Sequence, residues 1–149
     1  MYDVKVLHLL DKVIESLEVI QQRTENIHCT NDFLDSATGT LLLDGVCMKL
    51  IATGESIKNL DKLTAGNLLI YYPQIPWREV MGMRDIIVHH YFEVDADVIF
   101  NTVKENIPLL MDTLLQMRED LPDKIKRMPF QASFRFIYKI YESNLPFSI

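Results

Sequence analysis

Cysteine, glycine and proline are scarce in this chain of 149 residues, and long apolar runs are missing. Its two cysteines, five glycines and six prolines exclude collagen-like and low-complexity chains. No stretch approaches the roughly 18 consecutive apolar residues of a membrane-spanning helix, so we expect no membrane segment. The N-terminus shows no basic run followed by an apolar core, and we therefore expect no signal peptide and a cytoplasmic location.

Residues that hold metal ions are also missing at the usual spacings. Cys29 and Cys47 form no CxxC motif and have no histidine pair at zinc spacing. There is no HExxH motif, no cluster of carboxylates at ligand spacing and no P-loop. We therefore predict no metal site and no cofactor, and two reduced thiols of which at least one lies in the core.

Acidic residues outnumber basic ones, and the excess is confined to the first 120 residues. The whole chain has 15 Lys and Arg against 21 Asp and Glu, a formal net charge of −6. Residues 1–120 hold 10 basic and 19 acidic side chains, a net of −9, whereas residues 121–149 hold five and two, a net of +3. The acidic body argues against non-specific binding to duplex nucleic acid, which depends on neutralising phosphates.

Apolar residues recur at steps of three and four over most of the chain, which is typical of amphipathic helices. The predicted long helices cover about residues 2–25, 37–60, 76–92 and 95–117. Pro76 is expected at the first position of the third helix, and Asp95 is expected to cap the fourth. The connector at 26–36 has room for one helical turn around Phe33, and 61–75 is a predicted loop. Four long helices predict an all-α fold, an antiparallel bundle of four to five helices.

Gly45, Gly54 and Pro108 are poor helix formers inside the predicted helices. Gly45 and Gly54 each cost up to about 1 kcal/mol against alanine, so each indicates close approach of a neighbouring helix. Pro108 lies inside the fourth helix and predicts a kink there, at a cost of about 3 kcal/mol unless packing compensates.

The chain changes character after residue 120. Pro122, Pro129 and Pro146 punctuate a segment in which aromatic residues and isoleucines mix with Lys and Arg. We therefore assign residues 1–120 to one helical domain and residues 121–149 to a C-terminal extension packed on the bundle or on a partner. Within the extension, residues 131–143 are either a short helix or a strand-like segment.

The predicted third helix ends in residue types that bind phosphate and move protons. Arg84 and His89 are five residues apart, which separates them by about 7.5 Å along a helix and about 140° around it. A guanidinium grips a phosphate through two hydrogen bonds, and an imidazole titrates near neutral pH. Such a pair suits RNA cleavage, in which the substrate's own 2′-hydroxyl is the nucleophile and no metal is needed. The same two residues can instead serve only to satisfy the last carbonyls of the helix.

A longer phrase around these residues strongly resembles the HepT-like toxins of the HEPN superfamily. It runs from Ile75-Pro76-Trp77-Arg78-Glu79 through Gly82-Met83-Arg84-Asp85-Ile86-Ile87-Val88-His89-His90-Tyr91-Phe92 to Val94-Asp95. The Arg-x4-His-x-Tyr pattern of that family is present as Arg84, His89 and Tyr91. The long first helix, the pair Gly54-Glu55 and the segment 103–108 match as well, so the likeness covers about residues 1–118.

The resemblance implies a small all-helical ribonuclease that acts as a homodimer, with two copies of the motif facing one cleft. Its substrate would be an RNA such as tRNA or mRNA. The usual partner in the family is a minimal nucleotidyltransferase antitoxin of the MNT type, which silences the toxin by transferring AMP to the motif tyrosine, here Tyr91. By the same resemblance Arg84 would hold the phosphate, His89 would be the general acid or base, and Asp85 would orient one of them. The family pattern supplies no role for His90, which we expect to support the site or to serve only the fold.

Two other functions stay open on the sequence alone. The acidic body, together with an Asp at position 85 where many relatives have Asn, is compatible with a non-catalytic HEPN module that binds a nucleotide or a protein. A purely structural helical dimer is the third interpretation. A homodimer is also expected independently of the family, because the third helix carries apolar residues on several sides, Trp77, Met83 and Phe92 among them.

Overall fold

The computed structural model describes the backbone of residues 2–126 and the side chains of residues 4–121, and this part of the chain is helical. Its α-helices are α1 (Tyr2–Arg23), α2 (Asn31–Leu34), α3 (Ala37–Leu63), α4 (Trp77–His89), α5 (Ala96–Asn101) and α6 (Ile107–Lys126). Short 3-10 helices cover Leu69–Tyr71 and Tyr91–Glu93, and a π-helix over Thr102–Asn106 joins α5 to α6. The predicted helical bundle is confirmed. Within residues 2–126, no helix combines the length and the apolar content that crossing a bilayer requires.

One apolar core joins α1, α3 and α6. The buried face of each helix follows steps of three and four residues, because side chains at those steps share one side of a helix. The buried residues are Val6, Leu10, Val13, Leu17 and Ile20 on α1, Val46, Leu50, Ile57 and Leu60 on α3, and Ile107, Leu110, Leu114, Met117 and Leu121 on α6. Cys47 is buried in this core, Cys29 is exposed, and both are free thiols, which confirms the prediction for the cysteines.

Side-chain caps begin α3 and α5. At the start of α3, the N–H of Gly39 donates to Ser36 Oγ at 2.9 Å. At the start of α5, the N–H of Asp97 donates to Asp95 Oδ1 at 2.8 Å, so Asp95 is the cap that the sequence predicts. Past the end of α3 the chain turns at Gly66, whose φ is +74° and whose N–H donates to the carbonyl of Asp61 at 2.9 Å.

Several predicted helix ends are wrong. The third helix does not reach Phe92: α4 ends at His89, the N–H of His90 donates to the carbonyl of Ile86 at 3.1 Å, and a 3-10 turn follows. No glycine or proline marks this stop. The fourth helix does not end near Met117, because α6 continues to Lys126 with Leu121 fully buried. The segment at 131–143 and nearly all of the predicted extension lie outside the described residues.

Pro108 interrupts the fourth helix, where the sequence predicts an irregularity. The interruption takes the form of the π-helix over Thr102–Asn106, which ends two residues before Pro108. A proline has no N–H for the carbonyl four residues earlier, that of Lys104, and its ring crowds that carbonyl, so a wider turn is favoured there. The Lys104 ammonium in turn donates to the carbonyl of Thr24 at 2.7 Å, which ties the π-helix to the end of α1.

Gly45 and Gly54, both inside α3, have different surroundings. A Cβ at Gly54 would lie 2.9 Å from the carbonyl oxygen of Val80 and 3.3 Å from the backbone nitrogen of Arg84, so α4 crosses directly over Gly54. The predicted close approach at Gly54 is confirmed. At Gly45 the same prediction is wrong within the described part of the chain, where a Cβ would meet no atom within 4 Å.

The two glycines therefore form a matched pair for a stability measurement. We expect Gly54→Ala to destabilise the fold by about 1–3 kcal/mol, because the added methyl overlaps the α4 backbone. We expect Gly45→Ala to be neutral or to stabilise it by up to about 1 kcal/mol, since alanine favours the helix and has open space. Urea unfolding of both variants at equal protein concentration measures the difference. Equal stabilisation by the two substitutions would contradict the crossing of α4 over Gly54.

Candidate functional site

Arg84 projects from α4 at the point where this helix crosses Gly54. The ideal Cβ of Gly54 would lie 3.4 Å from the Cβ of Arg84, so the crossing fixes where the arginine begins. Its guanidinium donates from Nη1 to Asp85 Oδ1 at 2.7 Å, and its Nε lies 3.9 Å from Glu55 Oε2. The side chain is 42% exposed, which leaves part of the cation open to a ligand.

Asp85 is the link between the charged groups of the motif. The hydrogen bond from Arg84 lowers the pKa of the Asp85 carboxyl, and the positive charges of Arg84, Lys58 and His89 act in the same direction. The same hydrogen bond raises the pKa of Arg84 above its usual value, so that residue stays protonated. Asp85 therefore lies next to the arginine and within electrostatic reach of His89.

The two histidines stand at the C-terminal end of α4, and both are exposed. His89 is the last residue of the helix, and His90 is its C-cap. The Nδ1 of His90 lies 4.0 Å from Glu93 Oε2, across the 3-10 turn. Because α4 ends at His89 rather than at Phe92, the imidazole of His89 lies at a helix terminus and not within a longer helix.

Tyr91 begins the 3-10 turn and is hydrogen-bonded to the N-terminal third of α3. Its hydroxyl donates to Asp44 Oδ1 at 3.1 Å, and its ring meets the ring of Phe92 edge to face at 5.7 Å between centroids. The hydrogen bond and the charge of Asp44 raise the pKa of the Tyr91 phenol. Tyr91 is 46% exposed and Phe92 is 99% exposed. The ring of the motif tyrosine is therefore accessible to solvent, while its hydroxyl is held by the hydrogen bond to Asp44.

Two residues of this neighbourhood, Asp44 and Lys58, have no signal in the motif, and a third, Glu55, is indicated only by the family resemblance. Asp44 lies 47 positions before its partner Tyr91, and nothing in the local sequence pairs them. Lys58 acts on Asp85 from α3 and has no motif of its own. Glu55 directly follows Gly54 and was singled out only through the family resemblance. The glycine is the available signal, since it marks where α4 passes and hence which α3 side chains lie beside it.

A groove of about 580 Å³ lies on another side of α4, between this helix, α5 and the start of α6. We call it the α4–α5 groove. Among its lining residues are Val80, Met83, Val98 and Leu110, together with His90 of the motif. Arg84, Asp85, His89 and Tyr91 do not line it. The structure thus pairs Arg84 with Asp85 on α4, places His89 at the end of that helix within electrostatic reach of Asp85, and ties Tyr91 to α3, whereas His90 lines a different surface.

A comparison with protein families matches residues 13–117 to the family model described as Ribonuclease HepT-like. Over 111 residues the chain is 37% identical to a probable ribonuclease HepT of Thermococcus cleftensis, which covers 74% of this chain and 93% of that protein. Over 101 residues it is 30% identical to a putative RNase of Caldanaerobacter subterraneus, 68% of this chain and 83% of that one.

A longer relative occurs in Methanocaldococcus jannaschii, named gamma-glutamylcyclotransferase and putative RNase. The two chains are 36% identical over 130 residues, which is 87% of this chain, and the match spans about half of the archaeal protein, 54% of its length. No solved structure gave a significant match.

The bond between Tyr91 and Asp44 makes a prediction about titration. We expect Asp44→Asn to lower the phenol pKa of Tyr91 toward its ordinary value, because the amide removes the negative charge while keeping an acceptor. The hydrogen bond in the native protein is complete at neutral pH and is lost as the pH rises through the pKa of Tyr91. NMR of ring-labelled tyrosine, assigned with Tyr91→Phe, measures the shift.

Tyr72 provides the internal control for this titration. Burial is the main reason why the pKa of Tyr72 is raised, and its hydrogen bond of 2.9 Å to Asp120 raises the pKa further. Its titration should not respond to Asp44→Asn. An unchanged Tyr91 titration in the same variant would show that Asp44 does not hold the phenol in solution.

Proposed function

The chain belongs to the Ribonuclease HepT-like family, and on that premise we propose that it is a metal-independent endoribonuclease whose reaction is carried by Arg84 and His89. The observation that carries the proposal is that a 42% exposed Arg84 pairs with Asp85 on α4, and that the exposed His89, which ends the same helix, lies within electrostatic reach of Asp85. The family supports the ribonuclease activity, and the geometry supports the assignment of these two residues.

Arg84 holds the scissile phosphate in the proposed mechanism. Its guanidinium is planar and offers several donors to the phosphate oxygens, and their charge grows as the 2′-oxygen attacks phosphorus. Asp85 and Glu55 neutralise and orient this cation in the free protein. An incoming phosphate competes with these carboxylates for the guanidinium. Part of the binding energy of the RNA is therefore used to separate Arg84 from Asp85 and Glu55.

His89 moves the proton. In the cleavage step the 2′-hydroxyl loses its proton to a base, a 2′-oxygen–phosphorus bond forms, and the bond to the 5′-oxygen breaks as that oxygen gains a proton from an acid. The products are a 2′,3′-cyclic phosphate and a free 5′-hydroxyl, and no oxidant or reductant is required. Two proton transfers need two groups, and a two-fold pair of chains provides two His89 side chains.

A homodimer is accordingly part of the proposal. Large apolar side chains stand exposed around the motif in the single chain, outside the α4–α5 groove: Val88 at 44% and Phe92 at 99%. Exposed apolar patches of this kind mark surfaces that another protein covers. Pairing through this region would place the end of each α4 near its symmetry mate and form one cleft from two motifs.

Control by an MNT-type nucleotidyltransferase antitoxin completes the proposal. Transfer of AMP from ATP to Tyr91 forms a bond between the phenol oxygen and the α-phosphorus and releases pyrophosphate. The product adds a negative charge beside the site and removes the proton that Tyr91 donates to Asp44. The charge repels RNA, and the loss of the hydrogen bond frees the 3-10 turn from α3.

Cleavage assays test the catalytic assignment. The full chain should cut single-stranded RNA in excess EDTA and leave 2′,3′-cyclic phosphate ends. His89→Ala should lower the rate by about 10²–10⁴-fold through loss of proton transfer. Arg84→Ala should lower it by about 10²–10³-fold through loss of charge stabilisation.

The controls are an exposed histidine on α1 and an exposed arginine on α4. His8→Ala and Arg78→Ala should cut at the native rate. Native activity of His89→Ala would remove that residue from the mechanism. RNA left intact by the native chain at every concentration, with nucleotide or nucleotidyltransferase still bound, would favour the non-catalytic module instead.

Modification of Tyr91 has a separate test. Coexpression with an MNT-type nucleotidyltransferase should add the mass of one or more AMP groups to the chain, and Tyr91→Phe should abolish the gain. Tyr71→Phe is the matched control, because Tyr71 is 50% exposed against 46% for Tyr91. A mass gain that persists in Tyr91→Phe would place the modification elsewhere.

A further inference from the structure

The α4–α5 groove is apolar in its walls and acidic in its charge. Its walls include Val80, Met83, Val98, Ile99, Leu109 and Leu110. The charged side chains among its described lining residues are the three carboxylates Glu79, Glu93 and Asp95, and no Lys or Arg of the described part lines it. An occupant that matches this surface is therefore apolar and carries positive charge.

A second copy of the same groove is a poor occupant. Across a two-fold axis the three carboxylates of one groove would approach the three carboxylates of the other, and like charges in contact are unfavourable. Ile86 and Val98 at this groove are 64% and 59% exposed. Leaving such apolar side chains in contact with water is also unfavourable.

Residues 127–149 have the composition that the groove requires. They carry Arg127, Arg135 and Lys139 against the single acidic side chain of Glu142. Their large apolar residues are Met128, Phe130, Phe134, Phe136, Ile137, Tyr138, Ile140, Tyr141, Leu145, Phe147 and Ile149. The family match ends at residue 117, so this segment lies beyond the part of the chain that the family model accounts for.

The reach of the segment selects which of its residues meet the groove. Leu110 lines the groove and lies 16 residues before Lys126 on α6, so the helix carries the chain about 24 Å away. A fully extended chain returns at most about 3.3 Å per residue, and about eight residues are needed to come back. The first residue able to reach Leu110 is therefore about 134, where the densest run of aromatic and isoleucine residues, 134–141, begins.

We propose that residues 134–141 of this chain dock in the α4–α5 groove of the same molecule, with their aromatic side chains against its apolar walls and with Arg135 and Lys139 facing Glu79, Glu93 and Asp95. The groove thereby becomes an intramolecular binding site for the C-terminal segment. This docking does not require the ribonuclease activity, and either proposal can be correct without the other.

Disulfide trapping in the full chain tests the docking. The parent carries Cys29→Ser, which removes the exposed thiol and leaves the buried Cys47 in place. Leu109→Cys, on the groove wall and 49% exposed, is combined with Tyr138→Cys. Under mild oxidation we expect this pair to close within one chain at least about tenfold faster than Leu109→Cys with Phe147→Cys, whose longer tether allows only random encounter.

The outcomes separate the possible occupants. Rapid closure at position 138 within a chain supports the docking, and its loss in the charge-reversal variant R135E/K139E supports the acidic match. Equal rates at positions 138 and 147 overturn the proposal. Leu109→Cys alone forming a disulfide between two chains also overturns it, because a second copy then covers the groove.

Hydrogen exchange gives a second measurement on a chain without added cysteines. The groove-lining residues 93–95 and the amides beside them should exchange faster in R135E/K139E than in the native chain, because the segment no longer shields them. Identical exchange there in the two proteins, at matched concentration, would contradict the docking.

Discussion

The missing side chain at Gly54 sets the distance between α3 and α4, and the candidate site depends on that distance. A single methyl group at this position would overlap the carbonyl of Val80 and press on the backbone of Arg84. Because α4 lies so close, Arg84 starts directly over α3, within 3.9 Å of Glu55, and Asp85 falls within the field of Lys58. A glycine that costs helix stability in α3 thus places the cation of the site on α4.

The charges around Arg84 explain how an acidic chain can present a phosphate site. The whole chain carries a net charge of −6, and two carboxylates lie next to the one arginine of the motif. Those carboxylates hold the guanidinium in place and keep it protonated, but they also screen it from solvent anions. In the proposed mechanism, RNA binding exchanges these carboxylate partners for phosphate oxygens, which favours a phosphate that fits the geometry over any nearby anion.

Three consecutive residues at the end of α4, His89, His90 and Tyr91, have different surroundings. The helix stops at His89, which exposes an imidazole at its terminus, and His90 turns toward the α4–α5 groove beside Glu93. Tyr91 is held on the other side by Asp44 of α3. A modification of Tyr91 would therefore act on a turn that lies between the motif and the groove.

The sequence predicted the helices and the motif better than it predicted where elements stop and touch. Periodic apolar residues gave the buried faces of α1, α3 and α6, and Gly54 correctly marked a crossing. The stop at His89 had no local sign, because neither a glycine nor a proline follows it, and the bond that Tyr91 makes just beyond it goes to a carboxylate 47 residues away. The prediction at Gly45 was wrong, since a glycine in a helical sequence does not reveal whether another element packs against it. The extent of α6 was missed although Leu121 continues the steps of three and four, because α6 runs through Pro122, a residue that usually marks the end of a helix.

The central claim is that Arg84 and His89 meet around one RNA phosphate at the end of α4. The most direct measurement is a structure of the chain with a short RNA that carries a 2′-deoxy nucleotide at the cleavage position, so that binding occurs without reaction. We expect a phosphate oxygen within hydrogen-bond distance of the Arg84 guanidinium, with the imidazole of a His89 within reach of the 2′-carbon or the 5′-oxygen. Bound RNA whose phosphates leave Arg84 in its pair with Asp85, and His89 in open solvent, would contradict it.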